Sequence, residues 1–373
     1  MKGTKVLGLI YASAYDQAMP EFTAHRTMGS VPFGARYRLI DFALSNMVNS
    51  GVTKVGVITK NNYRSLMDHI GSGKPWDLSR KREGLFILPP YNLVTNAGGS
   101  FKSRLDSLIC CRTFLKHSTK EYVLISDCNT IYNVDLCDFF ETHEKTGADI
   151  TFAYRHGKTP SLAGTMTFDF DPDNRVNNVK ITSEGGNEAD YSLNIFIIKK
   201  ALLERLIDEA ASMHYQDFEG DIIQKSVDKL KIYGYKAENF ARTIDSIESY
   251  YQVSMELLNA ENRKELFCRE RPIYTKVRDE VPALYGLLSN VKNSLIADGC
   301  KIEGTVENSI IFRGVTIAKD AVVKNSIVMQ GSYINEKAQI NSVIMDKDAI
   351  IKPGQMLFGT DTFPIYVGKG IIV

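Results

Sequence analysis

Three closely spaced arginines near the beginning of the chain are the first residues whose types and spacing suggest chemistry. Arg26, Arg36 and Arg38 surround a turn-rich segment with two glycines and a proline. Guanidinium groups and the backbone N–H groups of such turns both match the oxygens of a phosphate. The pattern therefore favours an anion-binding loop, with a solvated basic loop as the alternative.

A strand and a helix must position this loop. The run VLGLIY before it has the composition of a strand, although the lysines beside it faintly resemble the start of a signal peptide. After the loop, apolar residues recur every three or four positions from Leu39 to Val48. Gly51 is placed to end this helix in a left-handed conformation. We therefore expect a buried helix directly after the arginines.

Strand and helix patterns alternate through most of the chain. The run YVLIS is almost entirely apolar, as buried parallel strands are, and residues 101–117 have helical spacing. This alternation predicts an α/β domain over residues 1–260, with a mostly parallel sheet covered on both faces. Ligands of such sheets bind at the carboxyl ends of the strands.

A repeat replaces this pattern in the last part of the chain. The tetrapeptides NSLI, NSII, NSIV and NSVI begin at positions 293, 308, 325 and 341, and β-branched residues recur every sixth position between them. Such hexads are typical of a parallel β-helix. We expect a β-helix over residues 286–373, joined to the α/β domain by a charged connector over residues 261–285.

Composition narrows the class of protein. A formal net charge of +1 gives no reason to expect a nucleic-acid or membrane partner, and no apolar run reaches the length of about 18 residues that a membrane span needs. The six cysteines include no CxxC pair, which favours a reduced, cytoplasmic chain.

A Rossmann-like α/β domain followed by a hexapeptide β-helix suggests two enzymatic activities. One is nucleotidyl transfer by the α/β domain, and the other is acyl transfer at the β-helix, which needs a histidine base. All six histidines precede residue 215, so the β-helix contains none. The β-helix is therefore interpreted as an oligomerisation and regulatory module.

Several segments resemble one family. The segments VPFGARYRLIDFALSNMVNSG and VGVITKNNYRSLMDHI, together with the C-terminal hexads, resemble ADP-glucose pyrophosphorylase, the glucose-1-phosphate adenylyltransferase of glycogen and starch synthesis. The segments TMGSVPFG and GSGKPWDLSRKREGLFILPP are most similar to its GlgD-type subunits, which accompany a catalytic subunit. The resemblance implies a nucleotidyltransferase-like domain and a left-handed β-helix.

The phosphate-binding parts of a catalytic member are changed in this sequence. Adenylyl transfer needs a glycine-rich turn around the triphosphate, a cation on the developing charge and carboxylates that hold Mg²⁺. The family's glycine-rich loop corresponds to YASAYDQAM, which has no glycine. The family's RAKP motif corresponds to RTMG, so Met28 replaces a lysine.

The metal-ligand positions are changed as well. The family's GDHIY motif places Asn129 at an aspartate, and WxDIGT places Phe240 at the second one. A phenyl ring cannot ligate Mg²⁺. In the WYRGTADA motif, Arg104 replaces a small threonine. We predict no catalytic residue and no metal site in this chain, with Mg²⁺ only in a catalytic partner, although Asp127 could substitute if that loop shifts its register.

At other positions the sequence has residues similar to those of the family. Arg26, Arg36 and Arg38 match basic residues that the family associates with anionic sugar-phosphate effectors. Asp190 and Ser192 match the EASMGIY region near the family's glucose phosphate pocket, in altered form, and are predicted to be a vestigial sugar-phosphate pocket.

These observations lead to one hypothesis and two alternatives. The resemblance and the lost groups together indicate an inactive regulatory subunit that forms a mixed tetramer with a catalytic glucose-1-phosphate adenylyltransferase subunit and responds to a sugar-phosphate effector. The first alternative is an active adenylyltransferase that makes ADP-glucose with an altered site. The second is a non-enzymatic sugar-phosphate sensor.

Overall fold

The computed structural model describes residues 2–60, 62–89 and 103–373. Its α-helices are α1 (Pro20–Thr23), α2 (Leu39–Asn49), α3 (Arg64–Ile70), α4 (Arg104–Cys110), α5 (Arg112–Lys116), α6 (Leu136–Thr146), α7 (Lys200–Met213), α8 (Ile247–Glu256) and α9 (Ala260–Leu266). The strands of the α/β domain are β1 (Val6–Tyr11), β2 (Pro32–Phe33), β3 (Tyr37–Arg38), β4 (Lys54–Ile58), β5 (Gly84–Leu88), β6 (Tyr122–Asp127), β7 (Thr130–Tyr132), β8 (Ile150–Lys158), β9 (Thr165–Phe170), β10 (Val176–Thr182), β11 (Glu188–Lys199), β12 (Ile232–Lys236) and β13 (Ala241–Thr243).

The central sheet has a switch point between β1 and β6. Its order is β10-β9-β11-β6-β1-β4-β5, and β8 pairs with β11 and β12. Strands β5, β4, β1 and β6 run parallel, and the chain reverses its direction across the sheet between β5 and β6. Tyr11 and Asp127 are the last paired residues of β1 and β6. A crevice therefore lies beyond these two residues, where such sheets bind ligands.

The α/β domain differs from the sequence prediction in two places. The predicted helix over residues 101–117 divides at Cys111 into α4 and α5, and Phe101 and Lys102 lie outside the described residues. The β9–β10 hairpin was not predicted, and it adds an antiparallel edge beside β11. In β9 buried and more exposed side chains mix in a short run, and this weak pattern explains the omission.

Helix α2 follows the arginine loop as predicted. The backbone N–H of Arg38 donates to Asp41 Oδ2 (3.0 Å), which caps the helix at its start, and residues 39–47 are buried. Gly51 has a φ of 82°, the left-handed conformation that the sequence predicted. The arginine loop is therefore attached rigidly to the core.

The C-terminal part is a parallel β-helix. Its strands are β14 (Leu284–Tyr285), β15 (Asn290–Lys292), β16 (Leu295–Ile296), β17 (Lys301–Ile302), β18 (Thr305–Glu307), β19 (Ile310–Ile311), β20 (Thr316–Ile317), β21 (Val322–Lys324), β22 (Ile327–Val328), β23 (Tyr333–Ile334), β24 (Gln339–Asn341), β25 (Val343–Met345), β26 (Ile350–Ile351), β27 (Met356–Phe358) and β28 (Ile365–Val367). They form three sheets in which every third strand pairs in parallel. The coil begins with β14, and the predicted connector also contains most of α9.

The repeated Asn-Ser pairs form ladders along the coil. Asn293, Asn308 and Asn325 adopt positive φ values of 41°, 47° and 45° at the corners. Asn293 Nδ2 donates to Asn308 Oδ1 (2.8 Å), and the N–H groups of Ser309 and Ser326 donate to the serine Oγ of the preceding coil (both 3.1 Å). Each corner of the coil needs a residue in the left-handed conformation and a hydroxyl acceptor, and this requirement explains the repeated NS pair.

The two domains share a buried core. Apolar residues of the arginine loop and α8 pack with Ile310, Ile327 and Ile344 of the β-helix. The ring of Phe22 lies 4.7 Å from that of Tyr250 and 5.1 Å from that of Tyr366. Within the ranges described above, no helix is long and apolar enough to cross a membrane.

Candidate functional site

An arginine fills the crevice at the switch point. Arg104, the first residue of α4, donates from both terminal nitrogens to the carboxylate of Asp127 (2.9 and 2.7 Å). Its Nε donates to Glu219 Oε1 (2.7 Å), and its side chain is 8% exposed. Glu219 lies in a π-helical turn, Phe218–Ile223. One guanidinium thus bridges two buried carboxylates.

Two tyrosines surround this guanidinium. Its central carbon lies 4.8 Å from the centre of the Tyr11 ring, and the Tyr11 hydroxyl donates to the Arg104 carbonyl (3.2 Å). Tyr15, in a left-handed conformation, accepts a hydrogen bond from Asn194 Nδ2 (2.9 Å). Burial raises the pKa of Tyr15, so its ring carries a neutral hydroxyl. The loop that replaces the glycine-rich turn therefore places an aromatic side chain in the crevice.

The charges in the crevice compensate each other. Burial raises the pKa of Glu219 to about 7, and the Arg104 guanidinium opposes this rise. Burial alone would lower the pKa of Arg104, but Asp127 and Glu219 hold it above its ordinary value. The arginine is therefore a permanent cation between two acidic groups.

Replacing Glu219 by glutamine should change the pH dependence of stability. The folded pKa of about 7 exceeds the ordinary value of 4.5, so the folded state retains a proton that the unfolded chain releases between these values. The free energy of unfolding of the unsubstituted protein should therefore fall as the pH rises through this window, by at most about 3 kcal/mol from this group. Asp16, whose pKa burial raises to about 7, adds a slope of the same sign in both proteins.

Denaturant unfolding at several pH values measures this slope. The Glu219→Gln protein should show a shallower decline than the unsubstituted protein. Equal slopes for the two proteins would contradict the assigned burial of the Glu219 carboxyl group.

Three of the positions predicted to be vestigial, Met28, Asn129 and Phe240, are buried. Met28 and Phe240 are buried in the cluster shared by the two domains, and the Phe240 ring lies under the guanidinium of Arg242, at 4.8 Å. Asn129 Nδ2 donates to the Ile244 carbonyl (3.2 Å), and its buried Oδ1 finds no partner among the described residues. These residues offer no set of oxygen ligands for Mg²⁺.

The remaining carboxylates of the crevice do not fit a metal either. Arg104 occupies Asp127 and Glu219, so neither presents a free oxygen pair. In the described part of the chain, no group of three or more His, Cys, Asp or Glu residues could hold a metal ion. The residues present therefore do not fit the Mg²⁺ ion that adenylyl transfer needs.

The predicted sugar-phosphate residues lie on β11. Asp190 Oδ1 is 3.0 Å from His156 Nδ1, in a partly exposed contact. Ser192 is buried, and its Oγ accepts the N–H of Asn194 (3.0 Å). Since Asn194 also donates to the Tyr15 hydroxyl, Ser192 is linked through Asn194 to the loop that carries Tyr15.

A basic cleft lies between the α/β domain and the β-helix. We define it by its six basic residues, Arg36, Arg38, Lys276, Arg278, Arg313 and Lys347. Arg38 donates to the carbonyl (2.6 Å) and Oγ (2.9 Å) of Ser65, and Arg36 is exposed over the ring of Tyr37. Sequence spacing could not reveal this cleft, because its residues come from four separate segments of the chain.

The basic cleft carries an excess of positive charge. Burial, together with the nearby charges of Arg38 and Arg26, lowers the pKa of Lys347 to about 7. Burial also lowers the pKa of Arg38 to about 10. Of the six basic residues, Arg313 has an acidic partner, Asp298, at 3.1 Å. A bound anion would offset this mutual repulsion.

Of the three arginines in the predicted anion site, Arg26 lies in a buried ion pair with Asp346. Its two terminal nitrogens donate to the two carboxylate oxygens of Asp346 (2.9 and 2.8 Å). Arg26 is 3% exposed and Asp346 is 1% exposed. Because Asp346 takes both nitrogens, Arg26 does not line the basic cleft, and Arg36 and Arg38 remain of the original three.

Comparison with known proteins identifies the families that the two domains match. A nucleotidyl transferase family model matches residues 20–260, and a model described as GlmU-like, C-terminal hexapeptide, matches residues 285–362. The chain thus combines a nucleotidyl transferase domain with a hexapeptide β-helix.

The relatives narrow this class. Glycogen biosynthesis protein GlgD of Bacillus subtilis (strain 168) is 36% identical, over 100% of this chain and 98% of the relative. GlgD of Geobacillus stearothermophilus is 38% identical, over 99% and 97%. Glucose-1-phosphate adenylyltransferase of Clostridium botulinum (strain Alaska E43 / Type E3) is 33% identical, over 88% and 85%. The chain belongs to the glucose-1-phosphate adenylyltransferase family and is similar over its whole length to the members named GlgD, as its sequence motifs predicted.

Proposed function

We propose that this chain acts in glycogen biosynthesis as a regulatory, non-catalytic subunit of glucose-1-phosphate adenylyltransferase. The observation that carries the proposal is the occupied crevice, in which Arg104 bridges Asp127 and Glu219. The relatives named GlgD, which match the whole chain, support the role in glycogen biosynthesis.

The occupied crevice opposes nucleotide binding for an electrostatic reason. A triphosphate that entered it would have to displace Arg104 and would then meet the carboxylates of Asp127 and Glu219. Phosphate oxygens and carboxylates in contact within a buried site repel strongly. Among the described residues, no group of acidic or histidine ligands could hold a metal ion that would offset this repulsion. The chain is therefore expected to bind neither ATP nor Mg²⁺ at this place.

The basic cleft supports the regulatory part of the proposal. Several buried or half-buried cations face one another there, and phosphate oxygens would satisfy them better than water does. A sugar phosphate combines such an anion with hydroxyl groups for the neighbouring polar side chains. An effector of this class in the cleft would act on the contact between the two domains.

Replacing Arg36 tests the cleft with little damage to the fold, because its side chain is exposed. Arg36→Ala should weaken the binding of glucose 6-phosphate about tenfold, since one charge-assisted contact is lost. Isothermal titration calorimetry measures this affinity. Arg80→Ala, which removes another exposed arginine outside the cleft, should leave it unchanged. Equal affinities for both variants would remove Arg36 from the site.

The first coil of the β-helix supports assembly with a catalytic subunit. Strands β14, β15 and β16 each pair on one side only, with β17, β18 and β19. At this open end Leu287 is fully exposed and Leu288 is 76% exposed, and the partly buried Ala283 and Val291 pack against the apolar residues inside the coil. Unpaired parallel edges that continue a buried core fit the end of a second β-helix. The occupant we propose is the β-helix of the catalytic subunit.

Co-expression with a catalytic subunit tests the proposed function. The two chains should co-purify, and the mixture should show a higher rate of ADP-glucose formation or a changed effector response compared with the catalytic subunit alone. Leu287→Asp should abolish co-purification, whereas Met213→Asp, at another exposed apolar residue, should not. Sugar-phosphate binding without co-purification or stimulation would contradict the proposal and favour a sensor.

A further inference from the structure

A buried ion pair joins the two domains beside the basic cleft. Besides the two bonds from Arg26, the carboxylate of Asp346 accepts the hydroxyl of Tyr366 (2.8 Å) and the backbone N–H of Lys347 (2.7 Å). The Tyr366 hydroxyl also lies 3.0 Å from the carbonyl of Glu21, in α1, which precedes the arginine loop. A buried carboxylate with four donors has a fixed position, so this pair can transmit a displacement between the domains.

On the β-helix side, the pair is continuous with the basic cleft. Lys347 follows Asp346 directly and lines the cleft. The charges of Arg26 and Arg38 act on Lys347 strongly enough to lower its pKa further than burial alone. An anion in the cleft therefore changes the electrostatic surroundings of both the Arg26 guanidinium and the backbone that holds Asp346.

On the other side, the pair is continuous with the loop at the switch point. Two residues after Arg26, the N–H of Met28 donates to Asp16 Oδ1 (2.8 Å). The next N–H, of Gly29, donates to the carbonyl of Ala12 (2.8 Å), which follows β1. A side chain at residue 29 would stand 3.2 Å from the Ala12 Cβ, so the two segments are in close contact. Ala12 and Asp16 belong to the loop that carries Tyr15.

We propose that the Arg26–Asp346 ion pair couples anion binding in the basic cleft to the conformation of residues 12–30 at the switch-point crevice. The inference rests on the proposed regulatory function and deepens it, because it names the link between the two places. An anion that neutralises Arg38 and Lys347 reduces the repulsion on Arg26 and strengthens its bond to Asp346. The stronger pair holds residues 26–30, and through them residues 12–16, in the present conformation.

Hydrogen exchange of the isolated chain measures this coupling. The probes are inorganic phosphate and glucose 6-phosphate, added at saturating concentration. In the unsubstituted protein, the anion should slow amide exchange in residues 12–30 by about tenfold, within the range of typical coupling factors. Exchange in α7, which is remote from the cleft, serves as the internal reference.

Variants of the ion pair separate coupling from binding. Arg26→Gln combined with Asp346→Asn removes both charges and leaves no unpaired ion. This double variant should bind the anion within about threefold of the original affinity but lose the slowing of exchange. Tyr366→Phe, which removes one donor to Asp346 and keeps both charges, should show a reduced slowing of exchange in the same residues.

The outcomes distinguish this inference from the proposed function. If the double variant binds anion and still shows the full slowing in residues 12–30, the ion pair is not the link, and the regulatory role stands without it. If the unsubstituted protein binds neither probe, both the inference and the regulatory cleft are overturned. If the double variant does not fold, Tyr366→Phe provides the test. Undiminished slowing of amide exchange in residues 12–30 of the Tyr366→Phe protein would also contradict the inference.

Discussion

Replacing Arg104 by alanine is expected to lower the free energy of unfolding by about 3–5 kcal/mol, because it leaves Asp127 and Glu219 buried without their shared cation. The loss should be smaller at low pH, where the two carboxyl groups take up protons. Guanidinium chloride unfolding measures the effect.

A neighbouring ion pair provides the matched control. Arg112 of α5 pairs with Asp208 at 2.7 Å, but these side chains are 42% and 45% exposed. Arg112→Ala should therefore change stability by less than about 1 kcal/mol. Adding Asp127→Asn and Glu219→Gln to the Arg104→Ala protein should restore much of its stability, since no charge then stays unpaired. Equal effects of the two arginine substitutions would contradict the buried bridge.

Replacing Arg26 by alanine should lower the free energy of unfolding by about 3 kcal/mol or more, because Asp346 is left as a buried charge with only Tyr366 and a backbone N–H as donors. The contact between the domains should loosen as well. Limited proteolysis is expected to cut the arginine loop or the connector faster than in the unsubstituted protein.

An exposed pair in the β-helix is the control for this prediction. Lys324 lies 3.1 Å from Glu307, and the two side chains are 47% and 37% exposed. Lys324→Ala should change stability by less than about 1 kcal/mol and leave the proteolysis pattern unaltered. An Arg26→Ala protein as stable and as resistant as this control would show that the domains do not depend on the ion pair.

The architecture was predictable because it follows from local patterns. The NS tetrapeptides reveal the coil, since each corner needs a left-handed residue and a hydroxyl acceptor at the same place. Helix α2 was predictable for the same reason, from the spacing of its apolar residues and from Gly51 after its end. The chemistry of Met28 and Phe240 was also readable from the sequence, where the resemblance implies a lysine and a metal-binding aspartate at these two positions.

The interactions that define the site were not predictable, because their partners are far apart in the chain. Arg104 and Glu219 are separated by 115 positions, and Arg26 and Asp346 by 320. Sequence alone suggested Asp127 as a substitute metal ligand and Arg26 as an anion ligand. In the structure, Asp127 pairs with Arg104, and Arg26 pairs with Asp346. The basic cleft likewise depends on Arg278 and Lys347, which no motif indicated.

The most direct test of the central claim is the release of pyrophosphate from ATP and glucose 1-phosphate by the purified chain alone, with Mg²⁺ present. Because Arg104 occupies the crevice and neither metal position, Asn129 or Phe240, carries a carboxylate, we predict no turnover above the background without protein. The same preparation should still co-purify with a catalytic subunit and alter its rate, which shows that the protein is folded and functional. Substantial turnover by the chain alone would contradict the account.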